Sequence, residues 1–597
     1  MKKLLCLLLI LCMLLSAVAC GAAPAASEES ATASAEESAP AEETVLPEEE
    51  TALSMRGDEF GNGAVGSEYA VSSFSDVTSQ VGMDILAAGG NAVDAAVATI
   101  FAVGVCEPHH SGIGGSGLMT IYLADSDTYT TIEYMEAIPM NYDGTYTKAA
   151  DNTTARGAAV PGQVAGLAYA LEKYGTMSLS EVLQPAIKLA REGFVLDSVV
   201  AGAMADASAL FSQEGYEYMQ QLYTWDGIPY SSGDLFVNED LANTLQAIAD
   251  GGAEVFYTGE IAEKLVAGLQ AAGNWITMED LAAYRPNERT PVITDYYGYN
   301  IVGCSYPTAG GIWELESLNI MESLDIAQYE QGSNEYWRVF NEAIRIGALD
   351  AYTYFGDIDK YALPVDTLIS QEYADARASL ISLDSALVNV PSSDLGDPEE
   401  LGLASDNSLD EATSTTHIAV VDGSGNVVSS TNTVGYSFGC NFAVEGLGFC
   451  LNNHMLNNLH TENGCHIKSS MSPTIVTKDG KPVLAVGSPG SRVIPCAIMS
   501  VINNVLLYDM TVQEAINAPR CFILSYNGNK PLLELTAETG RMDATLIRQL
   551  ELYGYSFAEG MGSYEQQLGG IAAIYLDEDG TIYAGGDPRR GYQGLAE

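Results

Sequence analysis

A threonine that could act as a nucleophile is Thr415, at the head of an apolar strand-like run over residues 416–421. The segment before it is polar and acidic, so the chain could be cut between Ser414 and Thr415. A threonine hydroxyl is a weak nucleophile, but a free α-amino group on the same residue can accept its proton. Such an amine titrates near pH ~8, within the useful range for a general base. Nucleophilic chemistry at Thr415 therefore depends on breaking one peptide bond.

The residues after Thr415 predict a β-hairpin. Residues 416–421 and 427–433 read as strands on either side of a turn over residues 422–426. If the turn centres on Ser424, antiparallel pairing brings Thr433 opposite Thr415. A second hydroxyl would then stand beside the first, although strand propensity alone is another explanation for a threonine at either position.

A glycine turn over residues 487–492 could complete a reaction site. It follows the predicted strand 483–486 and precedes an apolar helix. Backbone N–H groups at such a turn and at a helix N-terminus are what an oxyanion hole requires. Ser488 within the turn is not a serine-hydrolase nucleophile, because Pro489 and the spacing break the Gly-x-Ser-x-Gly form.

The part of the chain before Thr415 reads as mostly helical. Helices are predicted over residues 76–88 and from an Asn91 cap to Pro108, and residues 163–380 are predominantly helical. The glycines within residues 111–117 lead into a strand rather than a helix, which excludes a phosphate-binding loop. Residues 384–414 have no sustained periodicity and predict an exposed loop, and residues 449–453 predict a short strand.

No metal or cofactor is expected. His109 and His110 follow a proline and predict a turn, while His454, His460 and the pair at 465–466 fit no zinc spacing and predict a polar cleft wall. Seven scattered cysteines beyond Cys20, an odd number in mostly apolar sequence, predict buried free thiols.

The N-terminus predicts export. Lys2 and Lys3, an apolar run over residues 4–15 and small residues before Cys20 form a signal peptide over residues 1–20, with Cys20 placed for lipidation. Residues 21–55 are rich in Ala, Ser, Glu and Pro and predict a disordered tether. A net charge of -54 argues against nucleic acid or an anionic membrane as a partner, which leaves a lipid anchor as the membrane contact.

These motifs together resemble the γ-glutamyltransferase family, also called γ-glutamyltranspeptidase or glutathione hydrolase, among the N-terminal-nucleophile hydrolases. The matching stretches, in family order, cover residues 89–97, 174–177, 276–284, 415–417, 469–474 and 587–589. The resemblance implies an α+β fold, a four-layer αββα sandwich. It also implies a proenzyme that cleaves itself before Thr415 into a large subunit, 56–414, and a small catalytic subunit, 415–597, which stay together.

The resemblance also implies site roles. The catalytic positions are the nucleophile, its partner hydroxyl and the oxyanion turn: Thr415, Thr433, and Gly490 with its neighbour Ser491. Ser469 and Ser470 would hold the donor's carboxylate. The donor would be a γ-glutamyl amide, and water or an amine would accept the acyl group.

Four positions depart from the family pattern around the donor's charged groups. Met135 stands where an arginine pairs with the α-carboxylate, and Asn457 where an aspartate meets the α-ammonium. His454 replaces a glutamine or glutamate, and Gly435 replaces an asparagine. Losing one partner of a buried ion pair costs about 2–5 kcal/mol, or tens to thousands of fold in affinity.

Three hypotheses follow. The first is acyl transfer from a γ-glutamyl amide such as glutathione. The second keeps the chemistry but changes the donor to another acyl amide or to a γ-linked polymer. The third is a non-catalytic surface protein that retains the fold, which the intact threonines and serines disfavour.

Overall fold

The computed structural model describes residues 55–401, 403, 414–457, 462–527, 530–558 and 562–597. The predicted signal peptide, Cys20 and the predicted tether up to residue 54 lie outside these residues, as does His460. Met55, the last residue of the predicted tether range, is buried against the folded chain. In the described part of the chain, no helix is both long enough and apolar enough to span a membrane.

Two seven-stranded sheets form the centre of the fold. Their strands, numbered along the chain, are β1 (Ala64–Gly66), β2 (Ala70–Ser73), β3 (Ser116–Leu123), β4 (Thr128–Glu133), β5 (Asn287–Arg289), β6 (Val292–Tyr296), β7 (Tyr299–Gly303), β8 (Ser414–Val421), β9 (Val427–Gly435), β10 (Thr474–Lys478), β11 (Lys481–Gly487), β12 (Ala572–Leu576), β13 (Ile582–Gly586) and β14 (Gln593–Ala596). The first sheet has the order β1-β13-β12-β11-β10-β7-β6 and the second β14-β2-β8-β9-β3-β4-β5. Neighbouring strands are antiparallel throughout.

Helices cover the outer face of each sheet. The main helices, numbered along the chain, are α1 (Asp76–Ala87), α2 (Ala92–Cys106), α3 (Gln163–Tyr174), α4 (Leu179–Glu192), α5 (Ser198–Phe211), α6 (Glu217–Tyr223), α7 (Glu239–Gly251), α8 (Glu260–Ala271), α9 (Met278–Ala283), α10 (Gly310–Ser323), α11 (Asn334–Thr353), α12 (Gln371–Ala378), α13 (Val493–Leu507), α14 (Val512–Asn517) and α15 (Ala544–Tyr553). Helices α1, α2 and α3 contact the second sheet, whereas α10, α13 and α14 contact the first.

Three apolar layers hold these four structural layers together. One lies between the second sheet and its helices, and one between the first sheet and its helices. The third lies between the two sheets, where Ala419 and Val421 of β8 meet Ala485 of β11 and Ile574 of β12. The chain is therefore an αββα sandwich, as the resemblance implies.

Local sequence accounts for the elements near Thr415. Asn91 caps α2 by accepting hydrogen bonds from Val93 and Asp94, and every residue of α2 is buried between the second sheet and helices α1, α3 and α4. The β8–β9 turn is closed by Asp422, whose carboxylate accepts hydrogen bonds from the backbone N–H groups of Ser424 and Asn426. Both predictions are confirmed.

Three predictions need correction. Residues 449–453 form no strand, because they are held by separate backbone contacts to residues 440, 442, 114 and 434 rather than by one ladder. The region 163–380 is predominantly helical as predicted, but it also contains the strands β5, β6 and β7, of which β5 and β6 are sheet edges. The predicted loop is irregular over residues 384–401, but Ser414 is buried as the first residue of β8.

Candidate active site

Thr415 lies at an irregularity in the hairpin. Ser414 pairs with Gly435 and Thr416 pairs with Asn432, so that Thr415 alone faces the two β9 residues between those pairs. The extra residue is therefore in β9, and such a bulge bends the strand that carries it and re-aims its side chains. The sequence predicted that Thr415 pairs regularly with Thr433. The bulge shifts the pairing by one residue between Thr416 and Ser414.

A chain of hydrogen bonds links the two threonines to the peptide bond before Thr415. Thr415 Oγ1 donates to Thr433 Oγ1 at 3.2 Å, and Thr433 Oγ1 donates to the Ser414 carbonyl oxygen at 2.6 Å. The backbone N–H of Gly435 donates to the Thr433 hydroxyl at 2.9 Å. All of these residues are buried. The Thr433 hydroxyl thus contacts both the Thr415 hydroxyl and the carbonyl that Thr415 would attack.

The neighbouring histidine is not part of this chain of hydrogen bonds. His417 Nδ1 lies 2.9 Å from Thr431 Oγ1, and burial lowers its pKa to about 3. The strand is held here by Tyr592, whose hydroxyl accepts a hydrogen bond from the His417 backbone N–H. His417 therefore fixes the hairpin and offers no base to Thr415.

The glycine turn lies close to Ser414. Gly490 has φ +119° and Ser491 φ +60°, both in the left-handed region, and helix α13 begins two residues later. Gly490 and Ser414 line the same cavity, of about 780 Å³. Ser488 donates to the Pro489 carbonyl and accepts from the Gly570 N–H, which fits its exclusion as a nucleophile.

Six residues predicted to contact the donor form what we call the donor wall: Met135, Gly435, His454, Asn457, Ser469 and Ser470. Asn457 and the two serines belong to neighbouring segments, since Asn457 Nδ2 donates to the Lys468 carbonyl at 3.4 Å. Ser469 accepts a backbone hydrogen bond from Ala309 at its carbonyl, and its side chain accepts one from Met471. The serine pair is thereby fixed against the start of α10.

The departures in the donor wall are part of its packing. Met135 is fully buried, and its backbone N–H donates to Glu133. His454 Nδ1 lies 2.8 Å from Glu136 Oε2, a contact whose angles do not make a hydrogen bond. Gly435 has φ +100°, and an added Cβ would meet Asn453 Oδ1 at 1.9 Å. An asparagine at position 435 would not fit this arrangement.

A buried polar network behind Met135 was not predicted. His466 Nδ1 lies 2.7 Å from Glu133 Oε1, while Asn287 donates to Glu133 Oε2 at 2.8 Å and Arg289 lies 3.4 Å from the same oxygen. Burial alone would raise the pKa of Glu133, but the charge of His466 and these hydrogen bonds bring it to about 2. Nothing in the sequence indicated this network, because its members come from three distant segments.

A second unpredicted group follows α2. His109 and His110 form the expected turn, but both rings are buried beside Glu107, and His110 contacts the Glu107 carboxylate. Burial lowers the pKa of both histidines well below the usual range and raises the pKa of Glu107. His109 and His110 also line the cavity that contains Ser414 and Gly490. The seven cysteines are buried free thiols, as predicted.

Comparisons with known proteins agree with this fold. A family profile described as Gamma-glutamyltranspeptidase matches residues 78–596. The glutathione hydrolase proenzyme of Escherichia coli K12 is 36% identical over 548 residues, covering 87% of this chain and 90% of its own. The acylase ACY 1 proenzyme of Pseudomonas sp. SE83 is 33% identical, covering 87% and 92%. The crystal structure of cephalosporin acylase from Bacillus halodurans superposes with a TM-score of 0.79 at 25% identity, covering 93% and 99%. This chain therefore belongs to the γ-glutamyltranspeptidase family of self-processing N-terminal-nucleophile hydrolases.

Proposed function

We propose that the chain cleaves itself between Ser414 and Thr415 and that Thr415 then transfers acyl groups from an amide donor to water or an amine. Cleavage would leave a large subunit, 56–414, and a small subunit, 415–597. The observation that carries the proposal is the Thr433 hydroxyl, which contacts both the Thr415 hydroxyl and the Ser414 carbonyl. The same two threonines would serve first the internal peptide bond and then the substrate.

In self-cleavage, Thr415 Oγ1 attacks the Ser414 carbonyl carbon. Negative charge develops on the carbonyl oxygen, to which Thr433 already donates at 2.6 Å. Breaking the C–N bond gives an ester between Ser414 and Thr415 Oγ1 and frees the α-amine of Thr415. That amine takes the proton that the Thr415 hydroxyl loses. Water then hydrolyses the ester and leaves Ser414 as a carboxylate end.

In turnover, the new α-amine accepts the proton of Thr415 Oγ1 as the hydroxyl attacks the donor amide. The N–H groups of Gly490 and Ser491 would face the oxyanion, and the departing amine takes the proton. Water or a second amine then releases the acyl group from Thr415. For a γ-glutamyl amide such as glutathione, the hydroxyls of Ser469 and Ser470 would donate to the carboxylate.

A second donor is favoured by the uncharged side of the donor wall. Met135 offers no positive charge to a carboxylate, and Asn457 offers no negative charge to an ammonium group. Losing one such partner costs about 2–5 kcal/mol. A donor acyl group that lacks one or both charges of free glutamate, as in an acylase or with a γ-linked polymer, would avoid that cost. The names of the relatives, glutathione hydrolase and acylase, correspond to these two donors.

Electrophoresis of purified protein tests the reaction first. We expect wild type to split into two chains with a new N-terminus at Thr415, Thr415→Ser to split more slowly, and Thr415→Ala to remain whole. A folded wild-type protein that stays whole would contradict the proposal. Initial rates with a γ-glutamyl anilide and with an uncharged acyl anilide then decide the donor.

We also infer export and lipidation at Cys20. The basic residues, the apolar run and the small residues before Cys20 support this inference. Expression in a bacterial host with a labelled fatty acid tests it. Label should appear in wild type and be absent from Cys20→Ala, which should leave the membrane fraction; equal labelling of both would contradict lipidation at this residue.

A further inference from the structure

We propose that Glu107, His109 and His110 form a binding site for a divalent transition-metal ion such as Zn²⁺. One ligand atom of each residue lies within 4.8 Å of the others. Two imidazoles and one carboxylate are a donor set that suits Zn²⁺, Co²⁺ and related ions. The proposal rests on these three residues and does not require that Thr415 be a nucleophile.

Unpaired buried atoms are the first observation for this site. Both ring nitrogens of His109 and the Oε2 atom of Glu107 have no hydrogen-bond partner within the described part of the chain. His109 is only 2% exposed and Glu107 is fully buried. A buried polar atom left without a partner costs about 1–3 kcal/mol. A metal ion bound between these side chains would supply a partner for the unpaired atoms of both residues.

An entry path is the second observation. His109 and His110 line the cavity of about 780 Å³ that also reaches Ser414 and Gly490. An ion could enter through this cavity and reach the histidines without unfolding the turn. Three protein ligands would leave a fourth position for water or for a small anionic ligand from the cavity.

The charged groups around the site affect how tightly it would bind a cation. The carboxylate of Asp197, at the cap of α5, acts on Glu107 and favours a cation. The guanidinium of Arg590 lines the same cavity and acts on all three residues, which opposes a cation. Glu107 must therefore be a ligand, because its charge offsets that of Arg590. The opposing explanation is a Glu107–His110 hydrogen bond with water at His109.

The site adjoins the hairpin that carries Thr415. The carboxylate of Glu107 interacts with the side chain of Thr416 in β8, whose hydroxyl lies 3.1 Å from the Tyr592 hydroxyl. An ion held by Glu107 would lie next to the start of β8. Binding is therefore to be measured directly rather than through activity.

The test uses the full chain as wild type and as Thr415→Ala, which separates this proposal from self-cleavage. After treatment with a chelator, each protein is titrated with Co²⁺ by visible absorption and with Zn²⁺ by calorimetry. We expect one ion per chain, with visible bands of a low-symmetry four- or five-coordinate site. His109→Gln and His110→Gln should each weaken binding by at least ~100-fold, since each removes a ligand, and loss of an outer-shell partner alone costs about 10–100-fold.

His466→Gln is the matched control, because His466 is a buried histidine in contact with a different glutamate, Glu133. It should bind the ion as wild type does. Glu107→Gln provides a second test that keeps the side-chain shape, and circular dichroism checks that each variant is folded. Absence of binding in both wild type and Thr415→Ala would overturn the proposal, as would binding that survives in folded His109→Gln and His110→Gln.

Discussion

The reaction centre and the donor wall are built in different ways. The proposed reaction centre, which we define as Thr415, Thr433, Gly490 and Ser491, is held by backbone geometry: one hairpin bulge and one left-handed turn. The donor wall is a set of residues from four separate segments, of which only Gly435 belongs to the hairpin. A single substitution can change the charge of such a wall without moving the hairpin. Donor preference can therefore change while the reaction stays the same.

Thr433→Val is expected to have the largest effect, and on the reaction centre alone. It keeps the branched shape but removes the hydroxyl that donates to the Ser414 carbonyl and accepts from Gly435. Losing one donor at a developing oxyanion lowers rates by about 10²–10³-fold. The fraction of cleaved chain against time, read from gels, measures the effect.

Thr433→Ser is the control, because it keeps the hydroxyl and should cleave within about tenfold of wild type. If Thr433→Val cleaved as fast as wild type, the hydrogen bond to Ser414 would have no role in cleavage. The reaction centre would then reduce to Thr415 itself.

Gly490→Ala separates turnover from self-cleavage. An added Cβ would lie 2.3 Å from Val493 Cγ1, and the φ of +119° already disfavours any side chain, so the turn must shift. We expect turnover to fall by ~10²-fold, the usual effect of losing one oxyanion donor. Cleavage should continue, because Thr433 contacts the Ser414 carbonyl.

Gly580→Ala is the matched control. Gly580 has φ +92°, but no atom lies within 4 Å of its added Cβ. It should cost about 1 kcal/mol of stability and leave kcat unchanged. Equal losses of kcat in both variants would mean that backbone strain, and not the position of the turn, explains the result.

The sequence predicted the hairpin that carries Thr415 well, because the parts of that hairpin are local in sequence. Hydrophobic alternation and the turn residues fix the hairpin and its centre at Ser424, which brings Thr433 near Thr415. The bulge was not predictable, because one extra residue in a ladder leaves no mark on alternation. The strands β5, β6 and β7 were missed because they are three to five residues long within a largely helical region.

The surroundings of the donor wall were less predictable. The residue types at Met135 and Asn457 were evident from the sequence. The polar contacts behind Met135 were not, because they join residues far apart in the chain: Glu133 contacts His466, 333 positions later. The Glu107–His109–His110 group shows the same limit, since a turn was predicted and the burial of its side chains depends on packing. Local patterns encode backbone turns, whereas polar clusters of this kind are set by tertiary structure.

Combining Met135→Arg with Asn457→Asp should change the donor wall alone. Restoring both charges is expected to lower KM for a γ-glutamyl anilide by ~10–100-fold, the lower part of the range for a buried ion-pair partner. The time course of self-cleavage should not change. Met135→Leu with Asn457 intact conserves volume without charge and should leave KM as in wild type. A loss of cleavage in the double variant would mean that the two regions are not independent.

Glu133→Gln is expected to have the smallest effect on catalysis, and it tests through stability how the donor wall is supported. The pKa of Glu133 is lowered from 4.5 to about 2, so its ionised form stabilises the folded state above pH 4.5, and this contribution disappears as the pH falls toward 2. A shift of this size corresponds to about 3 kcal/mol. The difference in unfolding free energy between wild type and Glu133→Gln, from urea titrations, should therefore shrink between pH 4.5 and 2. A difference that stays constant over this range would mean that packing, and not charge, supports Met135; an altered rate of self-cleavage would instead tie Glu133 to the reaction centre.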